Sequence, residues 1–147
     1  MGGWRNKELW KCAVRDGDVE VVHWTRPEVG DWSVMSGEGP HRWNIYAIIR
    51  EKHPLFARLT EDRLAKWDLP MHGGATFHDE IETRNAFGTH RALKIGCGYH
   101  RLGDERFTHM ATAGDAREVF EEADRLARYL EYAWDELKEN HDARRTD

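Results

Sequence analysis

Cysteine is nearly absent: Cys12 and Cys97 alone cannot make a disulfide framework, and the chain opens on no charged-then-apolar leader. A cytoplasmic protein that folds on its own core is therefore expected. No apolar run approaches the ~20 residues that a spanning helix needs, so no membrane partner is expected either. Positive charge is short as well. Lys and Arg number 22 against 27 Asp and Glu, a formal net charge of −5, where a general binder of duplex DNA carries a basic excess. Also missing are a His-Glu-x-x-His pair, a Cys-x-x-Cys pair, the lysine of a Walker loop and the spacing of a dinucleotide fingerprint. No metal or cofactor is expected, and without a complete catalytic constellation a non-enzymatic role is favoured. Four prolines serve as punctuation: Pro27 ends a strand, Pro40 sits in a loop, Pro54 opens a helix and Pro70 stops one.

What the chain does contain fits one domain over 1–147, with 1–3 and 139–147 frayed. Residues 4–14 carry Leu9, Trp10, Ala13 and Val14 among charges, which suits a short amphipathic helix or an irregular docking arm. Arg15, Asp16, Gly17 and Asp18 signal a turn before a β-branched strand at 19–24. Residues 28–42 read as a long loop or loose hairpin, and 43–49 as a central strand with apolar residues on both faces. A helical turn is predicted over 54–58, followed by a second over 63–67 that Thr60 caps and that buries Leu64, Ala65 and Trp67. Strands follow at 74–81 and 92–99, joined by a loop at 85–88, and a connection over 101–110 is anchored by Phe107 and Met110. From Asp115, with Glu118 completing a capping box, an apolar stripe runs to Leu137 and predicts a helix of about 23 residues, ~35 Å long. Together these elements predict an α+β domain, a mainly antiparallel sheet of about four to five strands covered by the long C-terminal helix.

Two segments pair glycine with histidine. In the first, His72, Gly73 and Gly74 precede Ala75, Thr76 and Phe77; in the second, Gly96, Cys97, Gly98, Tyr99, His100 and Arg101 lead to Asp104. Antiparallel pairing of 74–81 with 92–99 would set His72 and His100 on one rim. Successive backbone N–H groups in a glycine turn can converge on an anion, and histidine and arginine would add donors. His72, Gly73, Gly74, Thr76, His100, Arg101 and Asp104 are therefore the candidate ligand-binding residues, beside the plainer reading of a tight turn feeding a strand. Arg84, Arg91, Lys94 and Arg106 leave room for a local basic patch. His100 and Asp104, with His72, His78, Asp79, His90 and Cys97, offer a scattered metal set and hence a metal-dependent hydrolase as a further alternative. Cys97 between glycines reads as packing, as do most of the seven tryptophans.

The paired segments resemble an uncharacterised family of small phage and prophage proteins. In that family a His-Gly-Gly-x-Thr-(Phe or Tyr) turn precedes a Gly-x-Asp-x-x-His-x-x-Asp segment and a C-terminal amphipathic helix. His72, Gly73, Gly74, Thr76 and Phe77 match the turn, while Gly96, His100 and Asp104 match the second segment loosely. Gly98 stands at the family's aspartate, and the gap from His100 to Asp104 is one residue longer than the family's. The resemblance covers 43–130 and implies a mobile-element origin without an established activity. The function expected is that of an accessory protein which binds and sequesters an anionic, nucleotide-type small molecule in the host cytoplasm, in a counter-defence role. A protein that blocks a host enzyme through an exposed face is the alternative, and the many tryptophans predict a homodimer.

Overall fold

The computed structural model describes residues 7–14, 17–25, 41–86, 88–99 and 103–145. In chain order these form β1 (Lys7–Val14), β2 (Gly17–Thr25), β3 (Arg42–Arg50), α1 (Pro54–Glu61), a 3₁₀ turn (Arg63–Asp68), β4 (Phe77–Asn85), β5 (Gly88–Gly98), a second 3₁₀ turn (Glu105–His109) and α2 (Arg117–Arg145). The architecture is α+β. Among the described residues, five strands lie in the order β1-β2-β3-β5-β4, each pair antiparallel.

The central strand follows from its alternation. Trp43, Ile45, Ala47 and Ile49 are buried on one face of β3, as a period of two requires. Across from three of them, Cys97, Ile95 and Leu93 of β5 continue the same apolar surface. Cys97 is core, as its setting predicts. Of the segment 4–14, residues 7–14 are described, and they are neither helix nor docking arm. Lys7–Val14 is a strand, paired antiparallel with β2 from Lys7 opposite Thr25 to Val14 opposite Gly17. Trp10 then stacks on Trp43, centroids 6.2 Å apart, and meets Phe120 edge-on at 5.4 Å. The loop expected at 28–42 falls almost wholly outside the described residues.

His53 caps α1: its Nδ1 accepts from the Leu55 N–H at 3.1 Å, and Pro54 takes the first helical position. Accepting at Nδ1 puts the proton on Nε2, which donates to the Leu130 carbonyl at 2.9 Å. Thr60 does not cap the next turn. Its hydroxyl bonds back to the Phe56 carbonyl, and Asp62 accepts from the Leu64 N–H instead. That turn is 3₁₀, with three residues per turn, so Leu64 and Trp67 share a face and both point outward, 70% and 52% exposed; only Ala65 is buried. β4 begins at Phe77 rather than at residue 74, because the glycines are used in a turn.

α2 runs for 29 residues, about 43 Å, through Arg145, past the point at which fraying was expected. Val119, Ala123, Leu126, Ala127, Leu130 and Ala133 are buried, with Phe120 and Leu137 packed against the same core. The capping box gives way to other bonds: Asp115 accepts from the Ala111 N–H, and Glu118 is taken by Arg106. Among the described residues no helix is long and apolar enough to cross a membrane.

Candidate functional site

The glycine segment is a tight turn. The Gly74 N–H donates to the Met71 carbonyl at 2.9 Å, and Gly73 and Gly74 hold φ of 67° and 87°, which side chains resist. Gly74 has a second reason to be glycine: a Cβ there would lie 2.6 Å from the Trp67 ring. The indole rests on the bare backbone. Past the turn Ala75 is fully buried, and the Thr76 N–H donates to the Gly96 carbonyl at 2.8 Å while its side chain stays exposed. The N–H groups of Gly74 and Thr76, read as part of an anion cradle, are thus bonded within the protein.

The turn and the end of β5 do meet, through different residues from those expected. The His72 ring stacks on Tyr99, centroids 4.3 Å apart, and Phe107 closes on both rings edge-on. His72 Nε2 lies 2.8 Å from Asp104 Oδ1, and Nδ1 lies 3.5 Å from Glu122 Oε2. The Tyr99 hydroxyl donates to the same Glu122 oxygen at 2.5 Å. Burial, and then this bond to a carboxylate, push the Tyr99 phenol far above its ordinary range. One imidazole therefore joins the glycine turn, the approach to the second 3₁₀ turn and α2.

Arg106 extends the cluster. Its two terminal nitrogens meet the two oxygens of Glu118 at 2.5 and 3.0 Å, and its guanidinium lies over Phe107. Those hydrogen bonds hold the Glu118 carboxyl below the usual carboxylate range, and Arg106 is held more firmly charged in return. Three carboxylates, Asp104, Glu118 and Glu122, thus surround His72 and Arg106, a setting that opposes a further anion. With both His72 nitrogens facing carboxylates, the ring acts as a clasp. Among the described residues no group of three or more His, Cys, Asp or Glu is placed to hold a metal ion.

Of the residues singled out in the sequence, His72 and Asp104 are brought into contact, Gly73 and Gly74 build the turn, and Thr76 follows it. His100 and Arg101 lie outside the described residues. The basic patch is partly neutralised: Arg91 pairs with Glu80, and Arg106 with Glu118. The sequence reading missed Tyr99, Phe107, Arg106, Glu118 and Glu122 as parts of the cluster. Glu122 had a legible signal. It stands three residues after Val119 and four before Leu126, a carboxylate on the buried stripe of α2 that needs a partner.

Comparison of the chain with protein-family models, with curated proteins and with solved structures finds no match.

Proposed function

We propose that the protein is a phage-type accessory protein that acts by binding rather than turnover, sequestering an anionic, nucleotide-type small molecule in the host cytoplasm as a counter-defence. The observation that carries this reading is Trp67. Its ring is half exposed, and it is backed by the Gly74 turn, where no side chain intervenes. An aromatic face fixed from behind and open in front is a stacking platform for a base, worth about 1–3 kcal/mol per base. The ligand's place therefore moves from the N–H groups of Gly73 and Gly74 to the shoulder beside them. His72 and Asp104 hold the turn that supports the platform, and His100 and Arg101 keep the donor role read from the sequence. A homodimer remains part of the proposal, read directly as a mass by light scattering at micromolar concentration.

Leu64, 70% exposed and on the same face as Trp67, favours a second reading in which this pair anchors a host protein. Calorimetric titration of the wild type and of Trp67→Ala against a panel of linear and cyclic nucleotides separates the two. Binding by the wild type, weakened about tenfold to a hundredfold in the variant, is expected. No binding across the panel would remove the nucleotide reading in favour of the protein-blocking one.

A further inference from the structure

We infer that Arg63, Lys66 and His78 form a phosphate-holding corner at the edge of the Trp67 platform. The inference rests on the proposed function for the identity of the ligand, and on geometry of its own for the corner. Arg63 Nη2 donates to the His78 carbonyl at 3.0 Å, which stitches the 3₁₀ turn to the start of β4 and uses one of five guanidinium donors. Lys66 Nζ lies over the Trp67 ring, 5.7 Å from its centroid.

His78 supplies the independent observation. Its Nδ1 is buried and has no hydrogen-bond partner among the described residues. The residue as a whole is only partly buried, which leaves Nε2 as the nitrogen for an outside partner. A neutral ring in this setting keeps its proton on Nε2, since a buried N–H without an acceptor is the rarer arrangement. The ring thus presents an N–H outward beside a guanidinium and an ammonium. Burial, followed by the charges of Arg63 and Lys66, holds the His78 pKa below its ordinary value against the opposing pull of Asp79. Arg63 and Lys66, three residues apart in the 3₁₀ turn, share one of its faces.

Asp79 stands beside His78 on β4, and two further carboxylates of the 3₁₀ turn are engaged. Asp62 accepts from the Leu64 N–H, and Asp68 pairs with Arg58 at 3.2 Å. The contrast with Arg106 and His72, both bound by carboxylates, is what selects this corner for an anion. A nucleotide would lay its base on Trp67 and set its phosphates against Arg63, Lys66 and the His78 Nε2–H.

The test uses inorganic pyrophosphate and nucleotides on the whole chain, with the His78 ring followed by NMR. Saturable movement of the His78 resonances by pyrophosphate is expected, together with nucleotide binding about tenfold or more tighter than that of the matching nucleoside. Lys66→Gln, whose side chain makes no structural hydrogen bond, should lose about tenfold for both probes, and Arg63→Gln a similar factor. Pyrophosphate that leaves His78 unmoved, or Lys66→Gln and Arg63→Gln proteins that bind like the wild type, would overturn the corner. Nucleotides that bind regardless of these variants would leave the proposed function standing without it. Saturation by pyrophosphate with no nucleotide bound would support the corner and remove the nucleotide reading.

Discussion

His72 does at the scale of one residue what a short disulfide does in other small domains: it joins distant segments through a single side chain. The imidazole is only 24% exposed, and the carboxylates it meets come from separate elements. Removing it takes a hydrogen-bonding ring from the buried Asp104 and the partly buried Glu122. His72→Ala should therefore cost about 1.5–3 kcal/mol, read from urea unfolding, while Asp104→Asn, which keeps an acceptor oxygen toward Nε2, should cost less. At His78 the sign of the pH effect can be worked out. Its folded pKa lies below the ordinary 6.5, so between the two values the unfolded chain binds more protons and stability falls as pH drops through that window. His78→Gln should flatten the stability curve there, as measured by denaturant midpoints across pH 5 to 8. Residue chemistry was only partly legible in the sequence. The double glycine announced a turn, but Gly74 owes its second constraint to an indole seven positions earlier, and the contact between them depends on the 3₁₀ geometry.

At the scale of elements, what was legible is what one period determines. The stripe of α2 fixes a buried face, which is as read, and 43–49 is the central strand it was read to be, with Trp43, Ile45, Ala47 and Ile49 buried on one face and Ile48 on the other. Leu126, almost fully buried in the middle of that stripe, should lose about 2–5 kcal/mol when replaced by Ala, and a change within about 0.5 kcal/mol in a chemical melt would contradict its place in the core. Elements whose pattern fits two periods were misread. Leu9, Trp10, Ala13 and Val14 satisfy a helical face, yet Trp10 and Cys12 also alternate, and pairing with β2 decides for the strand. The short turn at Arg63–Asp68 failed for the same reason: α-helical spacing would bury Leu64 and Trp67, whereas three residues per turn expose them. The cap of α2 misled differently, because Glu118 has a stronger partner in Arg106, which no local pattern could name.

For the whole molecule, the sheet and α2 share one core, and α1 is tied into it by a ring rather than by packing alone. His53 caps α1 with one nitrogen and reaches the Leu130 carbonyl with the other, across 77 positions of sequence, while Trp134 closes on its face at 5.3 Å. Opening the first turn of α1 is therefore expected to require breaking its tie to α2. Amide hydrogen exchange should report this: the Leu55 N–H is expected to exchange as slowly as the amides in the buried middle of α2, in a single cooperative unit. In His53→Ala the Leu55 amide should exchange much faster while the centre of α2 keeps its protection, so one imidazole sets whether this small domain breathes as one body or as two.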